Sequence, residues 1–263
     1  MRYIRLLYIF IRAAFYEESA FRANFYINLL SVGLGLLGGI GGIYIIYTNN
    51  DSLNGWTMPE TLVVLGVYML VQALSSLSIS PSLNTLGGMG GELETGTFDY
   101  TLLRPISKQY YISFRQWSLW QFLHIFVSIG VIIFAMRQIG IGFHFFTILL
   151  FIVSLIISVG LYYSILLFVN SVAFWYRGTY LSWIVGDIMQ TGRYPIEIYP
   201  GRLRLFLTWV FPIGFIVSVP AQVITQKAQP LMLVMGFGLM VIMFSIATVF
   251  FRISLRKYSG ASS

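Results

Sequence analysis

The strongest constraint in this 263-residue sequence is a set of six long stretches that contain no Asp, Glu, Lys or Arg. An ionised side chain at the centre of a bilayer costs at least about 2.5–3.5 kcal/mol, and a spanning helix needs about 20 residues. Each stretch is therefore long enough for one crossing. They lie between Arg22 and Asp51, Glu60 and Glu92, Arg115 and Arg137, Arg137 and Arg177, Arg204 and Lys227, and Lys227 and Arg252.

The composition agrees with a lipid environment. Hydrophobic residues make up 57% of the chain and charged residues only 10%, whereas soluble domains carry about 25% charged residues. The polar side chains are too few to cover a surface in water. We therefore predict an all-α integral membrane protein with a single transmembrane domain over residues 1–263. Its spans are expected near residues 25–47, 59–80, 114–136, 145–173, 205–223 and 231–251.

The arginines and lysines predict the orientation of these spans, because short cytoplasmic loops are enriched in both. Almost all of them fall on one side if both termini are cytoplasmic, and Arg137 and Lys227 alone face out. On the inner side we expect an interfacial helix over residues 1–24. Residues 178–203 are expected there too, as an interfacial or half-inserted segment, since a crossing would put Arg202 and Arg204 outside.

The predicted spans lack the ionisable groups that ion-coupled carriers use. Asp187 falls in the ambiguous segment and is more typical of a solvated or capped carboxylate. His124 and His144 have no ligand-type partner three or four residues away, so structural roles are favoured over metal binding. The chain has no cysteine, no H-E-x-x-H and no G-x-S-x-G motif. We expect no catalytic residue and no metal site.

Glycines on the first span form two G-x-x-x-G pairs, Gly35 with Gly39 and Gly38 with Gly42. Such pairs present a bare helix face that another helix can approach closely. Packing or contact with another subunit is therefore favoured over a ligand role for these four glycines.

The longest internal loop, residues 87–113, is unusual in carrying Glu92, Glu94 and Asp99 on a side that is otherwise basic. We call it the acidic loop. The carboxylates alternate with apolar residues such as Phe98 and Leu102, which predicts a short amphipathic helix ending at Pro105. Such a helix could dock on a partner, or it could fold back on the protein's own inner surface.

Residues 96–105 of this loop, Gly-Thr-Phe-Asp-Tyr-Thr-Leu-Leu-Arg-Pro, resemble the signature of the ABC type-2 export permease family that is allied to daunorubicin-type exporters. The resemblance extends over most of the chain. One departure is Phe98, which stands where a leucine is expected. The other matching pieces are residues 56–60, Tyr194-Pro195, Tyr199-Pro200, Leu207-Thr208 with Pro212, Pro220-Ala221, and a basic aromatic tail over residues 252–260.

This resemblance implies that the acidic loop contains a coupling helix, which docks in a groove of a separate ABC ATPase subunit. ATP and Mg²⁺ would bind that partner, and no cofactor is expected on this chain. Two ATPase subunits and a second permease, identical or related, would complete the complex in a bacterial inner membrane. The residues expected at the ATPase contact are Glu92, Glu94, Thr97, Phe98, Asp99, Leu102, Arg104 and Pro105.

A kinked, aromatic fifth span is expected near the transport pathway, although an aromatic belt at the interface explains the same residues equally well. The apolar spans favour an amphipathic or hydrophobic substrate such as a lipid, a glycolipid or a drug-like compound. The alternative function is a membrane scaffold or assembly subunit that does not transport. The pathway candidates are Phe206, Trp209, Phe211, Pro212, Phe215 and Pro220.

Overall fold

The computed structural model describes residues 2–19, 22–142, 144–176 and 178–258. Arg177, together with Ser259 and Gly260 of the basic tail, lies outside the described residues. The described part is almost entirely helical. Its α-helices are α1 (Arg2–Ser19), α2 (Arg22–Tyr47), α3 (Met58–Ser76), α4 (Ile79–Asn84), α5 (Glu92–Thr95), α6 (Phe98–Leu102), α7 (Lys108–Phe114), α8 (Gln121–Ile139), α9 (Phe145–Ser171), α10 (Ser182–Met189), α11 (Gly201–Leu205), α12 (Val219–Ile224) and α13 (Pro230–Lys257).

Short irregular elements connect these helices. A two-stranded antiparallel hairpin joins α2 to α3, with β1 at Ser52–Leu53 and β2 at Trp56–Thr57. One 3₁₀ turn follows α9, and two more follow α10. These turns are Val172–Phe174, Gln190–Arg193 and Ile196–Ile198, and π-helical segments occupy Phe206–Val210 and Gly214–Ser218.

Five of the described helices, α2, α3, α8, α9 and α13, are long and apolar enough to cross a membrane. A sixth candidate is a pair of helical segments, Gly201–Val210 and Gly214–Ile224, which are bent by 76° relative to each other. These observations confirm the predicted all-α membrane protein.

The helix α3 is the central pillar of the bundle. Of the residues in its 18-residue apolar stretch, 72% are buried. The corresponding share for α2 is 17%, so α2 is peripheral. The close contact of α3 with α8 depends on Gly66, where an added Cβ would lie 2.7 Å from Ile132. The helices α9 and α13 pack in the same way, since Gly160 faces the Met240 side chain.

Helix boundaries near the acidic loop differ from those expected. The second span ends at Ser76 because a break separates it from α4, which carries Pro81 in its first turn, where a missing N–H is tolerated. The third begins at Gln121 rather than near residue 114. Residues 108–114 instead form α7, which lies against the bundle with Gln109 donating to the Tyr163 and Thr248 hydroxyls.

The bundle has two ends, which we name after their connections. The acidic-loop end carries the acidic loop and α1, where the Tyr110 hydroxyl donates to the carbonyl of Tyr3. The hairpin end carries β1 and β2. There the Lys227 ammonium is 2.7 Å from the Glu60 carboxylate and donates to the carbonyl of Gly55 at 3.0 Å.

Residues 178–203 run from one end of the bundle to the other, and we call them the crossing segment. The segment starts at the acidic-loop end, where the Gly88 N–H donates to the carbonyl of Thr179 at 3.0 Å. It reaches the hairpin end, where the Asn54 amide donates to the carbonyl of Glu197 at 2.7 Å. The expectation that this segment stays on the acidic-loop side is therefore wrong. It crosses through α10 and the 3₁₀ turn Gln190–Arg193, which together are about 20 Å long.

The bent pair enters the bundle from the hairpin end and returns to it. It begins just after Glu197, whose carboxylate accepts a hydrogen bond from Gln222 near the end of the pair. Soon afterwards Lys227 contacts the hairpin. The pair bends at Phe211, which leaves helical geometry, and Pro212. The expected span near residues 205–223 is thus a bent pair whose two ends both lie at the hairpin end, and we call it the re-entrant pair.

Candidate functional site

Glycines shape the beginning of the acidic loop. Gly88 and Gly90 have φ values of +92° and +75°, which favour glycine. Gly87 lies so close to Thr179 that an added Cβ would be 2.5 Å from its carbonyl oxygen. The turn therefore packs directly on the start of the crossing segment. The Gly90 N–H donates to the Glu94 carboxylate at 2.7 Å, which holds the turn against α5.

A buried ion pair forms the base of the loop. The Arg115 guanidinium lies 2.6 Å from the Glu92 carboxylate and also donates to the Thr85 hydroxyl. The Arg115 side chain is only 7% exposed. The Glu92 N–H completes the arrangement by donating to the carbonyl of Thr85 at 2.9 Å. Glu92 therefore holds the loop to the connection between α7 and α8, and its interaction is internal to the chain.

Phe98 is the largest fully buried side chain of the loop. Its ring lies edge-on to those of Phe174 and Tyr258, with centroid distances of 5.2 and 5.3 Å. It was expected at the ATPase contact, but its side chain is fully buried under Phe174 and Tyr258, which lie just after α9 and α13. Phe98 thus attaches α6 to the bundle.

The opposite face of α6 is uncovered. Tyr100 is 70% exposed and Leu103 is 80% exposed, and Thr101 on the Phe98 side is buried. Residues three apart share a helix face, so Tyr100 and Leu103 form one apolar tip. Neither residue was among those expected at the ATPase contact, although their spacing relative to Phe98 already places them on the other face of the helix.

The remaining predicted contact residues surround this tip. Asp99 is half-buried, whereas Glu94, Thr97, Leu102, Arg104 and Pro105 are exposed. Lys108 caps α6, because its ammonium donates to the carbonyls of Leu102 and Arg104 at 2.7 and 2.5 Å. The Arg104 guanidinium lies 4.5 Å from the centre of the Tyr111 ring. These contacts give the end of α6 a fixed geometry.

The N-terminal helix α1 is tied to the same end. The Glu18 carboxylate accepts the N–H of Leu119 at 3.0 Å, next to the start of α8. Burial raises the pKa of the Glu18 carboxyl above its ordinary value, and the hydrogen bond from Leu119 opposes this shift. The helix therefore contacts the connection that also contains Arg115.

The four glycines of α2 divide into two pairs. An added Cβ on Gly39 would lie 2.9 Å from Leu65, and one on Gly42 would lie 2.8 Å from the Tyr194 hydroxyl. These two glycines thus serve packing within the chain. Gly35 and Gly38 meet nothing within 4 Å, so they remain available for contact with another molecule.

The aromatic pathway candidates also divide. Pro212, Phe215 and Pro220 are buried in the bundle, Phe211 is half-buried, and Phe206 and Trp209 are exposed. Trp209 packs edge-on against Phe215 with centroids 5.5 Å apart. It also borders a groove of about 640 Å³ at the hairpin end, which Arg202 and Arg204 line as well.

The segment around α10 carries charged side chains along the bundle. Asp187 is exposed on α10 and accepts a hydrogen bond from Gln190 at 3.2 Å. Arg193 extends over the ring of Tyr68, which lies in the middle of α3. Arg193 thus places a charged side chain against the middle of α3, although it lies outside the spans that were expected to lack such groups. Within the described residues, no group of three or more His, Asp or Glu side chains could hold a metal ion.

A family model described as "ABC-2 family transporter protein" matches residues 35–262 of this chain. The match includes the acidic loop, the crossing segment and the re-entrant pair. The searches of curated proteins and of solved structures found no match.

Proposed function

Because this chain belongs to the ABC-2 family of transporter proteins, we propose that it is an export permease driven by a separate ABC ATPase through the acidic loop. The family makes it a multi-pass membrane subunit that partners an ABC ATPase. Export, the coupling role of the loop and the nature of the substrate are our proposals.

The observation that carries the coupling role is the exposed tip of Tyr100 and Leu103 on a loop fixed to the bundle from two sides. Glu92 joins the loop to Arg115. Phe98 joins it to the ends of α9 and α13 through Phe174 and Tyr258. A force on the tip would therefore move several helices together rather than bend a free loop.

The proposed complex contains two ATPase subunits, which bind ATP and Mg²⁺, and a second permease that is identical or related. The weakly buried helix α2, with its open Gly38, is the surface we assign to the second permease. We place the complex in a bacterial inner membrane with both termini and the acidic loop in the cytoplasm. The proposed substrate is amphipathic or hydrophobic, such as a lipid, a glycolipid or a drug-like compound.

The test purifies the tagged chain from its native membranes and measures vanadate-sensitive ATP hydrolysis in the isolated complex. The double variant Tyr100→Ala with Leu103→Ala removes the tip and leaves Phe98 and Glu92 in place. Loss of a central apolar contact pair should lower the copurified ATPase activity about tenfold or more. The matched control is Phe145→Ala with Leu231→Ala, which removes an exposed aromatic side chain and an exposed leucine at the hairpin end.

Inside-out vesicles then separate transport from scaffolding. ATP-dependent accumulation of a labelled amphiphile that is lost in the tip variant supports the exporter. ATPase copurification without ATP-dependent accumulation favours the non-transporting scaffold. Accumulation without ATP, driven by an ion gradient, would contradict both.

A further inference from the structure

A cleft of about 330 Å³ lies between α2, α3 and α8, and Arg193 from the crossing segment forms part of its wall. Its polar lining comes from side chains that can donate hydrogen bonds. None of the described residues that line it is an Asp or a Glu. The polar residues are Ser31, Gln72, Ser76, Gln121, His124 and Arg193.

Among the described residues of this lining, Arg193 alone carries a full charge, and no ion pair within the described part of the chain involves it. Its guanidinium is 5.7 Å from the centre of the Tyr68 ring, a cation–π contact. The ion pairs among the described residues are Glu92 with Arg115 and Glu60 with Lys227, so neither involves Arg193. An arginine within a membrane-spanning bundle that has no ion-pair partner in the described part of the chain is costly, and such a residue is by default a functional-site candidate.

The polar side chains are partly accessible. Gln72, Gln121, His124 and Arg193 are all half-buried. An anion entering the cleft would meet one fixed positive charge and several neutral donors. A cation would meet Arg193 without any carboxylate among the described lining residues, so the cleft discriminates between the two signs.

The rest of the cleft is apolar. Val32, Leu65 and Met69 belong to its wall. Gly35 of α2 also borders the cleft, and an added Cβ there would meet nothing within 4 Å. Beyond it, the outer face of α2 exposes apolar side chains such as Leu34 and Leu37. A headgroup in the cleft could therefore leave an alkyl chain along α2.

We propose that this cleft binds the anionic headgroup, a phosphate or a carboxylate, of an amphiphile whose tail lies past Gly35 against α2. The volume suits a headgroup and not a whole lipid. If the bound amphiphile is the transported substrate, the proposal rests on the proposed transport function. Binding of the amphiphile to the cleft can be tested on the permease without ATP.

The position of the cleft also connects it to the acidic loop. Gln121 and His124 lie in the first turn of α8, which follows Arg115 and the segment that contacts Glu18. A displacement of the loop base would move these two donors relative to Arg193 on the crossing segment. The headgroup site thus changes geometry when the loop moves.

The experiment measures binding of tail-labelled phosphatidylglycerol and phosphatidylcholine, with identical tails, to the purified chain in neutral detergent by fluorescence anisotropy. We expect the wild-type chain to prefer the anionic lipid about tenfold or more, as one charge-assisted contact supplies. Arg193→Gln should abolish that preference, and Arg193→Lys should keep part of it. Arg256→Gln, which removes an exposed arginine at the end of α13, should leave it unchanged.

The melting temperature of each variant shows whether it is folded. Gln72→Leu is a second binding-site variant, which removes a neutral donor and keeps the Arg193 charge. It should reduce the preference less than Arg193→Gln does. Equal affinity for the two lipids, or a full preference in folded Arg193→Gln, would overturn the proposal. Competition by inorganic phosphate as strong as that by octyl phosphate would also overturn it, since the tail would then be irrelevant. A lipid preference that survives while ATP-driven transport is absent supports the site and rejects the exporter instead.

Discussion

Residues 87–113 and 178–203 look alike in the sequence but occupy the molecule differently. Both mix glycine, charged and apolar residues, and both were expected on the same face of the membrane. The first remains at the acidic-loop end, where its base is the ion pair between Glu92 and Arg115. The second crosses the bundle and reaches the hairpin at Asn54.

The two segments differ in what holds them. The acidic loop is fixed by a buried ion pair and by one large aromatic side chain, Phe98. The crossing segment is fixed by close approach: Gly192 packs against Tyr68 and the re-entrant pair, and Tyr194 lies over Gly42. The pattern of polar residues therefore predicts the acidic loop well. It does not reveal a short segment that crosses the bundle and is held by close contacts at glycines.

Labelling from one side of the membrane tests most directly whether the two segments reach opposite sides. The chain contains no cysteine, so single cysteines can be introduced without a background signal. We expect single cysteines at Thr97→Cys and Arg202→Cys to react with an impermeant maleimide from opposite sides, because the crossing separates them. Asn54→Cys should label with Arg202→Cys. In sealed cells the reagent should label position 202 and not position 97, and in inverted vesicles it should label position 97 and not position 202. Labelling of positions 97 and 202 from the same side would restore the interfacial placement.

Arg115→Met should give the next largest effect. It leaves the Glu92 carboxylate without its buried partner, and we expect a loss of about 3 kcal/mol in the free energy of unfolding. Adding Glu92→Leu should recover much of this loss, because an apolar pair replaces the ion pair at little cost. Denaturant titration in detergent measures both, with the exposed Arg256→Met as control. No loss in Arg115→Met would show that the ion pair does not hold the loop.

A matched pair of glycine substitutions tests the crossing segment. A Cβ at Gly192 would lie 3.1 Å from both Ile213 and Val217, whereas at Gly186 it would meet nothing within 4 Å. We expect Gly192→Val to cost about 1–3 kcal/mol through overpacking. Gly186→Val should cost clearly less in the same thermal unfolding assay. Equal effects would mean that the segment does not pack between α3 and the re-entrant pair.

Much of the fold could be predicted because the bilayer restricts what a sequence can do. Charge-free stretches located α2, α3, α9 and α13 to within a few residues, since backbone groups in hydrocarbon must be satisfied within helices. The re-entrant pair was not predicted. Its length and hydropathy are those of a span, and only its 76° bend and its contacts at both ends show that it returns.

The candidate site was predicted in part. The acidic loop was identified from its carboxylates and motif, but Phe98 was expected to point outward and is covered by Phe174 and Tyr258. Its neighbour Leu103 is exposed instead. Burial of one face of a five-residue helix depends on residues far away in the chain, so local patterning left the choice of face open.

By itself, the sequence determined that this chain is a helical membrane protein with a distinctive acidic loop, because hydrophobic length and charge act locally along the chain. The tertiary structure alone decided where residues 178–203 run and that Arg193 faces a donor-lined cleft. That decision depends on contacts among α2, α3, α8 and the re-entrant pair. Some of these contacts, such as those of Gly42 with Tyr194 and of Tyr68 with Gly192, join residues more than a hundred positions apart, and no local pattern encodes them.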